Sequence, residues 1–289
     1  MGPGRSRAQL RRATFQRWVL FLSLISLSEQ LLAASCGDSS QSDFLRSFFR
    51  DAYRDSSLEL TTALGKSLDL NEWNRVLEVP SDDGHGALYL HQTYRCQVIG
   101  IEPNEDRVGE ARRMAFKNKL FDKITFRVAT PDSLKERDGD FDALAGCLAL
   151  SSASDKPLVA SELRRVLRPG ARLALAEVAV NPPLPPGLRP LTSTDAIGQA
   201  LPIESYQSLL QHAGFQAIRQ TDSSGILQNL VKKLQTRTLM ARLAVTGDQF
   251  NVDLKASRQD LQGAQQLFAS LSQAVEARQV GLAIITASA

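Results

Sequence analysis

The chain has 289 residues, 43% of them hydrophobic and 22% charged, which is enough for one large domain with a sizeable core. Its net charge of +3 gathers at the start, where Arg5, Arg7, Arg11, Arg12 and Arg17 precede the first acid, Glu29. The near-neutral remainder argues against nucleic-acid binding. Three cysteines, Cys36, Cys96 and Cys147, form neither a disulfide framework nor metal-ligand spacing, so no metal is expected and a reducing compartment fits.

Residues 1–43 read as an N-terminal extension. The arginines followed by the apolar run 18–27 resemble the charged and apolar regions of a secretory signal, and Ala33-Ala34-Ser35-Cys36 can be read as a cleavage or lipidation site. An Arg-rich, acid-poor start suits an organellar transit peptide equally well. Ser28-Glu29-Gln30 breaks the run short of the ~20 residues that span a bilayer. An amphipathic helix laid on the domain is therefore the alternative. The expected location is the cytoplasm, with membrane contact through this segment as the variant reading.

From 44 to 70 the apolar spacing of Phe44, Leu45, Phe48, Phe49 and Tyr53 predicts one or two short helices. A regular alternation follows: strand 75–79, helix 86–94, strand 97–101, helix 106–118, strand 124–128, a short polar helix or loop, strand 141–150, helix 156–167. A turn at Arg168-Pro169-Gly170-Ala171 then opens strand 172–180. The Pro-rich stretch 181–187 marks a linker. Helix 203–212, closed by Gly214, and strand 215–221 come next, then an almost wholly helical stretch over 226–278 and a last apolar strand over 280–286. This predicts an α/β fold with a doubly wound, mostly parallel seven-stranded sheet and a helical insertion before its last strand. The organisation expected is one domain over 44–289, with a core at 72–222, the insertion at 226–278 and the last strand at 280–286. The insertion reads either as a lid or as a cover for one sheet face.

Ligands of such sheets bind at the carboxyl ends of the strands. There the segment Arg75-Val76-Leu77-Glu78-Val79-Pro80-Ser81-Asp82-Asp83-Gly84-His85-Gly86 carries an acid on an apolar strand into a turn and a helix start, a geometry that lets backbone N–H groups approach a ligand. Glu102 closes the next strand and is followed by Pro103. His85 and His91 read as turn and helix-surface residues, and no His/Asp or Lys pair stands out as a general base.

Several segments together resemble the class I S-adenosylmethionine-dependent methyltransferases of small-molecule type. They are Val76-Leu77-Glu78-Val79, Val98-Ile99-Gly100-Ile101-Glu102-Pro103, Gly139-Asp140-Phe141-Asp142-Ala143-Leu144, the helix–turn–strand 162–173, and Leu209-Leu210-Gln211-His212-Ala213-Gly214-Phe215. The resemblance covers about 75–221 and implies a Rossmann-like fold and S-adenosyl-L-methionine as cofactor, with a small-molecule methyl acceptor. It places Glu78, Pro80, Asp82, Gly84, Glu102, Pro103 and Thr130 at the cofactor. Glu102 would accept from the ribose hydroxyls, Glu78 would orient the methionine end, and Thr130 stands where an acid often binds the adenine amino group. Pro80 and Asp82 replace expected glycines. Proline removes a donor, whereas an aspartate can pair with the cofactor's ammonium group. Cys147, in Ala145-Gly146-Cys147-Leu148, is similar to the substrate-binding cysteine of arsenite methyltransferases, which would make it a substrate contact; the bland reading is a small buried residue. The leading expectation is methyl transfer to a small molecule. The rival is an inactive methyltransferase-like scaffold whose altered glycine turn no longer holds cofactor.

Overall fold

The computed structural model describes residues 39–188, 199–246 and 254–289. The segment read as a targeting sequence or surface helix, Cys36 included, lies outside the described residues, apart from its last few positions. Helix α1 (Ser39–Leu68) leads into β1 (Arg75–Val79), α2 (His85–Tyr94), β2 (Gln97–Glu102), α3 (Glu105–Lys117), β3 (Ile124–Val128), β4 (Phe141–Cys147), α4 (Lys156–Val166) and β5 (Leu167–Val180). After a 3-10 turn at Pro186–Leu188 come α5 (Ile203–His212), β6 (Gln216–Asp222), α6 (Ser224–Thr246), α7 (Leu254–Glu276) and β7 (Val280–Ser288).

The seven strands form one sheet in the order β3-β2-β1-β4-β5-β7-β6, with β7 antiparallel to both its neighbours. Strand order reverses between β1 and β4, so the crevice at their carboxyl ends is the topological switch point where open α/β sheets bind ligands. Side chains alternate between the two faces, as a pleated strand requires. Leu77 and Leu144 point with Leu173 and Leu175 into a core shared with α4 and α5. Val76, Ala143, Ala145, Ala174 and Ala176 point the other way, against α1, α2, α3, α6 and α7. Alanines on that face let long helices approach closely. Local sequence starts the helices: Asn104 caps α3 by accepting from the N–H groups of Asp106 and Arg107 at 2.9 and 3.2 Å. Asp155 caps α4 through the Leu158 N–H at 3.0 Å.

Several expectations need correction. The N-terminal helical stretch is one helix of 30 residues starting at Ser39; no proline interrupts it. Strand β4 ends at Cys147 and not at 150, because Leu148 takes a left-handed φ of 59° and turns the chain. Leu148, Ala149 and Leu150 are apolar because they are buried in the turn, not because they extend the strand. The expected turn at 168–171 survives as a bulge inside a longer β5: the register steps from Phe141↔Leu167 to Ala143↔Arg172. Of the two readings for the stretch after β3, a short helix or a loop, the loop holds, with a bridge between Thr130 and Ser133. Helices α6 and α7 put Leu227, Leu230, Leu234, Phe268 and Leu271 into the core with Ala176, Val178, Leu282 and Ile284. They cover a sheet face. Among the described residues, no helix is long and apolar enough to cross a membrane.

Candidate cofactor site

The β1–α2 turn is bound to its neighbours at both ends. The Ser81 N–H donates to the Ile101 carbonyl at 2.9 Å, and the Gly84 N–H to the Ser81 carbonyl at 2.9 Å. Asp82 (φ 47°) and Gly84 (φ 86°) both sit in the left-handed region. A side chain at Gly84 would also meet Phe126 at 2.7 Å, Met114 at 2.8 Å and Ala111 at 2.9 Å. Gly84→Ala is therefore expected to lower folding stability by about 2 kcal/mol or more, combining left-handed strain with overpacking. Urea unfolding followed by circular dichroism checks this; an unchanged midpoint would contradict it.

Glu102 ends β2 next to this turn. Its carboxylate accepts from the Asp82 N–H at 3.1 Å and the Asn104 N–H at 3.0 Å, one bond to each oxygen, and only 4% of the residue is exposed. Each oxygen keeps a second acceptor position. Burial, with the nearby Asp82 carboxylate, pushes the Glu102 pKa up to about 7, although the Asn104 amide opposes this. Arg107, from the first turn of α3, pairs with Asp82.

Glu78 lies on β1 under the start of α2. The nearby Ala87 N–H favours its charged form, while its Oε2 is buried with no hydrogen-bond partner among the described residues. Burial first, then the charges of Asp82 and Asp83, raise its pKa well above the ordinary value. A Cβ on Gly86 would run into Glu78 Oε1, so glycine is what lets the helix start lie this close. Beyond the turn, Asp83 accepts from His85 Nδ1 at 2.8 Å and faces the Arg54 guanidinium of α1 at 3.8 Å. Burial pushes Asp83 up, but the bonds and charges of His85 and Arg54 outweigh it and hold the carboxyl below its ordinary value. A cavity of about 210 Å³ opens there, lined by Arg54, Asp82, Asp83, His85, Gly86 and Tyr89 among others.

Thr130 and Cys147 complete the edge. The Ala129 N–H donates to the Glu102 carbonyl at 3.3 Å, which sets Thr130 directly beyond the end of β2. Cys147 ends β4, opposite Ala176. Burial, followed by the charges of Glu177, Glu78 and Asp82, pushes its thiol far above the ordinary range, so it is held as S–H and not as a thiolate. Cys96 precedes the first residue of β2, at the opposite edge of the sheet. Among the described residues no group of three His, Cys, Asp or Glu could hold a metal ion.

Sequence reasoning missed Arg54 and Glu177, and read Asp83 and His85 only as residues of the turn without pairing them. Arg54 escaped because only the packing of α1 against α2 brings it to Asp83. Glu177 escaped although it carries a signal, a lone acid in the apolar run 173–180. It is 0% exposed and accepts from the Leu150 N–H at 2.9 Å and the Ser151 N–H at 2.7 Å. It thereby fixes the turn after β4. Burial raises its pKa to about 7, against the pull of those two amides and of Lys156.

Glu102 and Glu177 both hold protons that an unfolded chain, with carboxyls near 4.5, has already released. The folded state then binds more protons, so stability without ligand falls as pH rises from about 4.5 to about 7 and levels above. Each group contributes a slope of up to ~1.4 kcal/mol per pH unit. Denaturant midpoints across that window should show the fall, reduced in Glu102→Gln; a rising profile would contradict it.

Residues 71–175 match the family described as a methyltransferase domain. The chain is 25% identical over 183 residues to the O-methyltransferase resE of Aspergillus sclerotiorum, covering 62% of this chain and 69% of that protein. It is 27% identical over 123 residues to an arsenite methyltransferase of Halobacterium salinarum, covering 42% of this chain and 31% of that one. In fold it is similar to phosphoethanolamine N-methyltransferase 2 of Haemonchus contortus, crystallised with S-adenosyl-L-methionine: TM-score 0.67, 15% identity, 93% of this chain and 60% of that chain.

Proposed function

Because the chain belongs to the class I S-adenosylmethionine-dependent methyltransferases of small-molecule type, we propose that it methylates a small hydroxyl-bearing acceptor, with its cofactor held at the carboxyl edge of β1, β2 and β4. The observation that carries this reading is Glu102: a buried carboxylate, fixed by two backbone N–H groups, with an acceptor position left on each oxygen for a ribose diol. The rest of the edge fits a cationic ligand. Glu78, Asp82 and Asp83 crowd one turn, and Glu78 Oε2 is buried without a partner. A positive charge nearby relieves that crowding. When bound, S-adenosylmethionine supplies a methyl group on a sulfonium. The residues of this chain bind and orient: Glu102 the ribose, Glu78 and the turn the methionine end, Thr130 and Pro103 the adenine side.

The altered glycines do not break the turn. Asp82 adopts the left-handed conformation that glycine would supply, and its amide is one of the two that hold Glu102. That favours an enzyme over an inactive scaffold. The hydroxyl acceptor follows the O-methyltransferase relative and is favoured over arsenite by Cys147. A thiol kept protonated, with Cys96 at the opposite sheet edge, is a poor soft-ligand site. Cys147 instead lines the methyl-transfer edge as a small substrate contact, positioning the acceptor as the other residues position the donor. A cofactor drawn from the cytosolic metabolite pool supports a cytoplasmic location. The test is incubation with methyl-labelled S-adenosylmethionine and a panel of phenols, hydroxy acids, thiols and arsenite. Label on an oxygen is expected. Label on arsenic or sulfur would overturn the acceptor class, and no S-adenosylhomocysteine with any acceptor would overturn the reading.

A further inference from the structure

Proline at position 80 leaves the β1–α2 turn without one backbone donor. A ligand that presents a carboxylate there needs a cation from elsewhere. Helix α1 brings one: Arg54 Nη2 lies 3.8 Å from Asp83 Oδ2, and both side chains border the 210 Å³ cavity between α1 and the turn. The Arg54 side chain is 44% exposed and that of Asp83 29%, so their mutual contact is long and partly solvated. Such a pair is weak. It exchanges easily for a ligand that offers each partner a better charge. Leu58, Leu88 and Tyr89 line the same cavity with apolar surface.

One guanidinium and one carboxylate a few ångströms apart, beside apolar wall, complement an amino-acid zwitterion on a short aliphatic chain. We propose that Arg54 and Asp83 form the subsite for the amino-acid end of the cofactor, Arg54 taking its carboxylate and Asp83 its ammonium group. The planar guanidinium can grip a carboxylate with two parallel N–H bonds, which supplies more than the missing Pro80 amide would. Glu78 supports the ammonium side, its unpartnered Oε2 buried under the same helix start. Helix α1 is then part of the cofactor site and not only a cover for the sheet. This inference rests on the cofactor reading above and assigns the residues that make it specific for an amino-acid-bearing nucleoside.

The test compares two ligands by calorimetry on the full chain: S-adenosylhomocysteine, and 5′-methylthioadenosine, which keeps nucleoside and thioether but lacks the amino-acid end. Arg54→Ala, a change on a solvated helix surface, should weaken S-adenosylhomocysteine about 10- to 100-fold and leave 5′-methylthioadenosine within about twofold. Arg54→Lys should fall between, keeping the charge without the fork. An equal loss for both ligands would make Arg54 a structural residue, and no loss for either would remove it from the site; both outcomes overturn the subsite. If the unaltered chain binds neither ligand, the cofactor reading fails first and the subsite falls with it.

Discussion

Glu102→Ala weakens binding of S-adenosylhomocysteine by about 1.5–3 kcal/mol, roughly 10- to 150-fold, the range for hydrogen bonds to a charged group. Two effects must be separated. The substitution also strips an acceptor from the Asp82 and Asn104 amides, which loosens the turn itself. A ligand lacking the ribose 2′-hydroxyl divides them. If Glu102 holds the diol, that analogue already binds the unaltered protein more weakly, and the alanine variant costs it less further affinity. If Glu102 only braces the turn, both ligands lose the same factor. Equal losses, measured by calorimetry, would take Glu102 out of the cofactor site while leaving it in the fold.

The second large effect falls on stability. Glu177→Ala should lower the unfolding free energy by about 2–6 kcal/mol, because two buried amides, those of Leu150 and Ser151, lose their only described acceptor. Glu177→Gln keeps one side-chain oxygen and should recover a good part of the loss. The turn that Glu177 holds carries the chain from β4 towards α4, directly beyond Cys147, so the alanine variant should also raise the acceptor KM more than the cofactor Kd. A variant as stable as the unaltered protein in urea would show that the turn is held by its apolar residues alone.

The legibility of these features differed for physical reasons. Strand 124–128 and helix 203–212 were read with the bounds the structure has, because polar or turn residues close both ends. β4 was read three residues too long: apolar residues continue through a buried turn, and periodicity cannot separate the two. Helix α1 was read as one or two short helices from 44, since its first turn is polar and carries little periodic signal. The place of Glu102 at the end of β2 was legible because an acid closing an apolar strand before a proline is a local pattern. The part of Arg54 was not, because its meeting with Asp83 depends on where α1 packs, some 30 residues away in sequence. Pro80 and Asp82 were read as departures from expected glycines, Pro80 removing a donor and Asp82 able to pair with an ammonium group. The structure assigns Asp82 a constructive part, a left-handed aspartate whose amide anchors Glu102 and whose carboxylate pairs with Arg107.

The electrostatic pattern joins these features to function. Glu78, Asp82, Asp83, Glu102 and Glu177 converge on the carboxyl edge of β1, β2, β4 and β5, and burial drives Glu78, Glu102 and Glu177 towards their protonated forms. An acid-rich edge of this kind costs the folded state stability that a hydrophobic site would not cost. A bound cation offsets part of that cost, and a sulfonium-bearing cofactor brings one.

The measurement that bears most directly on this account is calorimetric titration of S-adenosylmethionine and S-adenosylhomocysteine into the full chain. The account predicts saturable binding at micromolar concentrations, about −8 kcal/mol, with a matching rise in thermal stability. No heat and no thermal shift with millimolar ligand would contradict it, and would leave the fold as a methyltransferase scaffold that serves another ligand.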